Sequence, residues 1–479
     1  MLFNSIQFVL FFPLVVWLYF LLPLRARNLF LLLASYYFYM CWEPTYIILI
    51  LLSTGVDYAA GLRMAATDNP RRRKAFLLLS LVSNLGLLFV FKYVNFFNDN
   101  LRALFEQFNL LYDVPAFKLL LPVGISFYTF QTLSYTIDVY RGKQQAERDP
   151  LKFALYVAFF PQLVAGPIER STHLLAQFHR NIAFDATRVA EGLERMLWGF
   201  FKKLVIADRL AVYVNEVYQN PGAHEGGPLW LATWFFAFQI YCDFSAYSDI
   251  AIGAARVLGI DLRENFRRPY LASSIGEFWK RWHISLSTWF RDYLYIPLGG
   301  NRGSAWRWQM NIMIVFLLSA LWHGAQWTFV MWGVLHGFYF LAAAWLRPLT
   351  DGCVRVFRLT RFRQAIGVFV TVHLVLLAWV FFRANSLDDA WVLLKGMFSL
   401  SNWSLSALTG VALGRAELIV AIGSILLMEV IQLLQGDRPL HELLRNRPRW
   451  FRWGVYHALI FAIFFLGKTG RQEFIYFQF

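Results

Sequence analysis

The sequence predicts an all-helical protein that crosses a membrane many times, and three observations carry that prediction. Of its 479 residues 58% are hydrophobic and 19% aromatic, with a mean hydropathy of +0.46, which is more apolar surface than a soluble domain can hide. Apolar stretches approaching the ~20 residues a helix needs to span hydrocarbon recur along the whole chain. The basic residues behind the net charge of +15 lie in short loops between those stretches, where they set orientation. That placement argues against nucleic acid as a partner and for lipid headgroups.

Taken in order, the apolar stretches fall at 5–24, 28–42, 45–61, 75–98, 117–140, 151–166, 189–217, 228–258, 308–322, 326–346, 363–383, 417–435 and 449–467. Some are short or broken by Gly, Pro and charges, so about ten to thirteen crossings are expected. The opening MLFNSIQ has no Lys or Arg and no cleavage site follows, so the first stretch reads as a retained helix. Arg25 and Arg27 follow the first stretch, Arg71, Arg72, Arg73 and Lys74 the third, and Arg141 and Lys143 the fifth. Basic alternate loops belong in the cytoplasm, which puts the N-terminus outside, and an even number of crossings puts the C-terminus there too.

The segment 259–304 departs from this pattern, mixing bulky aromatics with many charges between glycines. Charged backbone at membrane depth is tolerated only inside protein or beside a water-filled cavity. It is expected to form amphipathic and re-entrant helices along one wall of an internal chamber. The arginine-rich tract 348–363 reads as a surface loop. No repeat or low-complexity segment divides the chain, so a single domain over 1–479 is expected.

The main chemical signal is Leu321-Trp322-His323-Gly324. An ionisable side chain in so apolar a stretch is expensive and points to function. A desolvated imidazole rests neutral and can accept a proton, as a general base for acyl transfer to a hydroxyl must. Gly324 leaves room for a substrate beside the ring. The competing reading is a core histidine bonded to a nearby carbonyl. His336, 13 residues on, lies about 140° away around an ideal helix and is expected to serve packing.

His283, in Phe278-Trp279-Lys280-Arg281-Trp282-His283, lies in the polar segment. Facing the first imidazole it would orient a hydroxyl, polarise a thioester carbonyl or shuttle a proton. Lys280 and Arg281 suit donor phosphates or headgroups, or snorkel to the interface. In Tyr241-Cys242-Asp243-Phe244-Ser245-Ala246-Tyr247-Ser248-Asp249 the carboxylates are six residues apart and not a catalytic pair. They read as interhelical glue, pairing with the arginines of 263–268.

Other motifs fail. Gly467-Lys468-Thr469 lacks the first glycine of a P-loop, since position 462 is Ala. No His pair has ligand spacing, and Cys41, Cys242 and Cys353 are far apart, so neither a metal nor a disulfide framework is expected. The final residues Glu473-Phe474-Ile475-Tyr476-Phe477-Gln478-Phe479 read as an interfacial aromatic belt or a plug for the protein's own vestibule.

Several segments together resemble the membrane-bound O-acyltransferase family: LPVGISFYTFQTLSYTIDVYRG (121–142), FFPQLVAGPIER (159–170), YCDFSAYSDIAIG (241–253), ENFRRPY (264–270), EFWKRWHISLSTWFRDYLYIPLGGNRG (277–303), LWHG (321–324) and the terminal FIYFQF. They are most similar to the bacterial branch that acylates alginate, peptidoglycan or teichoic acid. Ala246 departs from the DFSGYSD form of the alginate type, which concerns packing. The resemblance implies a ring of transmembrane and re-entrant helices around a central tunnel. It makes His323 the catalytic histidine and His283 the second, with Trp322, Gly324, Lys280, Arg281, Trp282, Asp243 and Ser245 as candidates for the tunnel and substrate path. It implies O-acetylation of a cell-envelope polysaccharide from acetyl-CoA, in the bacterial inner membrane. A periplasmic SGNH-type esterase-like protein is the implied partner, and Tyr476 of the aromatic tail the implied acyl carrier. An enzyme acylating a lipid or protein, or a transporter with the same spans, is the alternative.

Overall fold

Helix starts follow local chemistry. Ser5, Asn69, Asp149, Ser274, Ser304 and Ser386 each stand just before a helix and accept a hydrogen bond from a backbone N–H of its first turn. Short polar side chains favour that N-cap role, which satisfies an otherwise orphaned donor. Pro70 and Pro150 occupy first helical positions, where a missing N–H costs nothing.

The structure, a computed structural model, describes residues 1–117, 120–349, 352, 362–436, 438, 440–445, 447–468 and 474–475. Among these residues all regular structure is helical. Among the described residues, five helices are long and apolar enough to cross a membrane: Pro44–Ala65, Pro70–Gln107, Trp327–Trp345, Arg363–Arg383 and Arg415–Gln435. Ile6–Leu21 is apolar but shorter. The expected stretch 189–217 divides into Ala186–Phe201, a π-helical turn at Lys202–Ala207 and Asp208–Gln219. The stretch 151–166 divides at Phe159 into Pro150–Ala158 and Phe160–Leu163. Large apolar side chains such as Ile6, Ile419, Phe464 and Phe465 are exposed on helix faces, as a lipid-facing surface requires and a soluble protein avoids. The protein is therefore an all-helical, multi-pass membrane protein.

The chain forms two compact units, Met1–Leu193 with Ile250–Arg263, and Glu194–Asp249 with Glu264–Phe479. In the first, the carboxylate of Asp57 is fully buried among helices. It accepts hydrogen bonds from Ser80 Oγ at 2.6 Å and Asn84 Nδ2 at 2.9 Å. Polar side chains that satisfy one another this way join helices where apolar contact gives no preference over lipid.

In the second unit the helices Ala305–His323 and Trp327–Trp345 pack closely. A Cβ on Gly333 would lie 2.6 Å from Ala320 Cβ, and one on Gly337 would lie 2.7 Å from Met313 Sδ. Glycines four apart thus let the two backbones approach. The polar segment folds here as two seven-residue helices, Ile275–Arg281 and Ile284–Phe290, then a π-helical turn at Arg291–Tyr295. Most of the tract 348–363 lies outside the described residues.

Candidate active site

His323 is the last residue of its helix, and 4% of it is exposed. Its ring lies 5.0 Å from that of Trp322, 5.3 Å from Trp332 and 5.4 Å from Phe382, meeting all three edge-on. Gly324 follows in extended conformation, and a Cβ there would fall 2.1 Å from the Phe329 ring. The room that Gly324 provides is therefore filled by Phe329 rather than kept for a substrate, a correction to the sequence expectation.

His283 is fully buried and caps the Ile284–Phe290 helix. Its backbone is left-handed, with φ 43°, a conformation that costs a residue with a Cβ about 1–3 kcal/mol and collects at functional sites. Asn265 holds this kink. Its carbonyl accepts from Ile284 N at 2.9 Å, and its side-chain Oδ1 accepts from the Ser285 N–H and hydroxyl at 3.2 and 2.9 Å. Asn265 is itself fully buried, and its Nδ2 reaches Ser248 Oγ at 3.4 Å. The two imidazoles are thereby brought to 6.3 Å between ring centres, with Trp322 5.7 Å from His283. Phe244 meets His283 edge-on at 4.6 Å.

The flanking candidates divide. Trp282 is buried against Phe266, Phe278 and Trp379 at 5.1, 5.6 and 5.1 Å. It belongs to the aromatic packing behind the histidines. Lys280 is exposed. Arg281 pairs with Glu277 and donates to the Arg268 carbonyl at 3.4 Å, so it pins its own helix to the preceding loop.

Asp243 and Asp249 do serve as glue, but with other partners than expected. Asp243 pairs with Lys203 at 2.7 Å, and Lys203 also holds Asp208 at 2.8 Å. Asp249 pairs with Lys202 at 2.7 Å and Arg195 at 2.9 Å, while Arg195 also grips Glu264 at 2.6 Å. Ser245 accepts from Lys202 Nζ at 2.7 Å. None of the arginines of 263–268 is paired with either aspartate in these bonds. The π-helical turn at Lys202–Ala207 is the reason, since its wider turn carries two adjacent lysines into buried positions.

The tail returns to this cluster. Phe474 and Ile475 are 3% and 1% exposed, buried in protein and not arranged as a belt. The Ile475 N–H donates to Asp243 Oδ2 at 2.7 Å, and Phe474 packs on Tyr247 at 4.8 Å and Phe244 at 5.8 Å. Tyr476 lies outside the described residues.

Sequence reasoning missed Lys202, Lys203 and Asn265. Adjacent lysines inside an otherwise apolar stretch were a usable signal for the first two, because such charges need a buried partner. Asn265 carried none, as an Asn in a charged loop looks like any turn residue. Among the described residues, no group of three or more His, Cys, Asp or Glu side chains is placed to hold a metal ion.

Comparison with known proteins agrees with the fold and the motifs. Residues 148–386 match the model of the membrane-bound O-acyltransferase family. A probable alginate O-acetylase of Azotobacter vinelandii is 42% identical over 92% of this chain and 86% of its own length. A peptidoglycan O-acetyltransferase of Helicobacter pylori is 36% identical over 85% of this chain and 82% of its own. A teichoic acid D-alanyltransferase of Streptococcus thermophilus is 26% identical over 56% of this chain and 69% of its own. With the family model matched over residues 148–386 and relatives above 30% identity spanning most of its length, the chain belongs to the membrane-bound O-acyltransferase family and is an O-acyltransferase of the membrane.

Proposed function

We propose that this enzyme transfers an acetyl group from acetyl-CoA to a hydroxyl, on the way to O-acetylation of a cell-envelope polysaccharide such as alginate or peptidoglycan. The observation that carries this reading is the pair of buried imidazoles, His323 and His283, 6.3 Å apart within aromatic walls. The relatives named as alginate O-acetylase and peptidoglycan O-acetyltransferase supply the class of acceptor.

In this reading His323 takes the proton from the acceptor hydroxyl. The oxygen attacks the thioester carbonyl, the C–S bond breaks, and the departing thiolate recovers the proton from the imidazolium. Dry aromatic walls keep water from intercepting the acyl group. His283, fixed by its kinked backbone, donates to the carbonyl oxygen as negative charge develops there.

Tyr476 is the proposed first acceptor. Its sequence neighbour Ile475 is held by Asp243, and Phe474 rests on Phe244, the ring 4.6 Å from His283. The phenol ester would then pass its acetyl group to a hydroxyl of a periplasmic SGNH-type partner, regenerating the phenol. This route sets the protein in the bacterial inner membrane with both termini outside, all 479 residues acting as one catalytic domain, and acetyl-CoA arriving from the cytoplasm.

Purified protein incubated with acetyl-CoA and analysed by mass spectrometry tests the route. The peptide containing Tyr476 is expected to gain one acetyl group, and His323→Ala is expected to slow the gain by about 10²–10⁴-fold with normal membrane insertion. Full transfer to a partner hydroxyl by Tyr476→Phe would end the relay. Undiminished transfer by His323→Ala would end the assignment of the base.

A further inference from the structure

The helix that begins at Arg71, Arg72, Arg73 and Lys74 carries an apolar face too long for a straight crossing. Pro70–Gln107 runs for 38 residues, about 57 Å at 1.5 Å per residue, against ~30 Å of hydrocarbon. Two features mark where it leaves that layer. About twenty residues past Lys74, the length that fills the hydrocarbon, polar side chains set in: Asn95, Asn98, Asp99, Asn100, Arg102 and Glu106. At the same level Tyr46, just before the Ile47–Ala65 helix, meets the Phe91 ring at 6.2 Å and donates to the Leu120 carbonyl at 2.7 Å.

The apolar face nevertheless continues. Leu78, Val82, Leu85 and Phe89 share one face by steps of four, three and four, and so do Phe97, Leu101, Leu104 and Phe108. All eight are between 42% and 68% exposed. The step from Phe89 to Phe97 is eight, one more than the seven that make about two turns. The π-helical turn Phe89–Tyr93 takes up the extra residue and keeps the second set in line with the first. The Phe89 and Phe97 rings lie 5.4 Å apart across it, although eight residues rise about 12 Å in a straight helix. That contact fits a helix bent toward this face.

The polar side is already occupied. Asn95, Asn98 and Arg102 lie roughly 100–160° around the helix from Phe97 and bind the loop that follows. Asn95 Nδ2 donates to the Phe117 carbonyl at 2.8 Å, Asn98 Nδ2 to that of Pro115 at 3.2 Å, and Arg102 Nη2 to that of Val114 at 2.6 Å. Asp99 and Glu106, about 180–200° from Phe97, are exposed.

We propose that Val94–Gln107 is an interfacial helix that turns at Phe89–Tyr93 and lies along the membrane surface opposite Arg71–Lys74. Phe97, Leu101, Leu104 and Phe108 are set into the acyl chains, and Asp99 and Glu106 stand in water. Lipid is the occupant because this face continues the one that Leu78, Val82, Leu85 and Phe89 present along the span, and a charged face opposite an apolar one suits the interface. A bend toward the apolar side turns that side down onto the bilayer. Standing upright, the 14 residues would instead carry it about 21 Å beyond the hydrocarbon. The backbone supports the turn: π-bulges are a cause of kinks, and Tyr93, at φ −112° and ψ −19°, departs from regular helical values.

Spin labels on the full-length protein in phosphatidylcholine nanodiscs test this. In a background with Cys41, Cys242 and Cys353 replaced by Ser, nitroxides at Leu101→Cys, Leu104→Cys and Phe108→Cys are expected to collide with oxygen in preference to a water-soluble nickel chelate, at one common depth. Glu106→Cys is expected to show the reverse preference. Nickel access at Leu104→Cys and Phe108→Cys overturns the proposal and leaves the face to a protein outside the membrane. Low access to both reagents overturns it in favour of a second copy of this chain. A depth that changes by about 1.5 Å per residue from 101 to 108 means an upright helix and overturns it as well. Should the cysteine-free protein not fold, phosphatidylcholine with a diazirine on its acyl chain is expected to label Leu101, Leu104 or Phe108 of the unsubstituted chain, and no label on that peptide overturns the proposal.

Discussion

Replacing Asp243 by Ala is expected to release the carboxyl-terminal segment while sparing the helices around it. The Ile475 N–H, 1% exposed with its residue, gives its hydrogen bond to Asp243 Oδ2 at 2.7 Å. Leaving a buried donor without its partner costs about 1–3 kcal/mol. At 1.4 kcal/mol per factor of ten, that raises the open population of the tail about 5–150-fold. The rest of the cluster limits the damage, because Lys203 retains Asp208 at 2.8 Å and no cation is stranded. The loss should therefore stay below the roughly 3–5 kcal/mol of a fully broken buried pair. Hydrogen exchange of the peptide containing Ile475 reads this opening directly. Asp243→Asn is the control, since its amide oxygen still accepts from Ile475, and its exchange should fall between the wild type and Asp243→Ala. Exchange at Ile475 unchanged within about twofold in Asp243→Ala, with the other helices intact, would refute the tether. Acetyl transfer should fall in step with tail opening if Tyr476 carries the acyl group.

Three further outcomes are expected. Lys203→Met leaves Asp208 and Asp243 facing each other in a buried site, so thermal stability in detergent should fall by about 3–5 kcal/mol, and adding Asp243→Asn should restore much of it. Gly333→Val drives a side chain into Ala320 and the Phe316 carbonyl, at 2.6 and 2.8 Å from the first added carbon, which should cost about 1–3 kcal/mol in a melting assay. His283→Gly keeps the left-handed backbone without strain while His283→Ala does not. The glycine variant should be as stable as the alanine variant or more so by up to about 1 kcal/mol, with acetyl transfer impaired in both.

Much of the helical architecture was legible because membrane helices announce themselves locally. The stretch 363–383 is the helix Arg363–Arg383, and 417–435 falls within Arg415–Gln435. Each is decided by one run of apolar residues. The polar segment was legible as a departure from the apolar pattern, but the break that puts a short helix on either side of His283 carries no glycine and depends on the distant Asn265. What could not be read was anything that depends on two distant segments meeting. Asp243 announced that it needed a partner, but whether that was an arginine of 263–268 or Lys203 depends on the extra width of one helical turn. Gly324 announced close approach, but only the fold shows that Phe329 makes it. The tail was read as a belt or a plug, and burial of Phe474 and Ile475 favours enclosure within protein for those two residues.

The π-helical turn at Lys202–Ala207 has a consequence for how this chain can change in length. Such a turn is a regular helix carrying one residue too many. Removing a single residue from it would give a smoother and locally more comfortable helix. It would also rotate everything on one side by about 100° relative to the other, pulling apart the lysines at its start and Asp208 just beyond its end. The segment should therefore tolerate exchange of its apolar side chains far more readily than the loss of any one of them, with chain length as the constrained quantity.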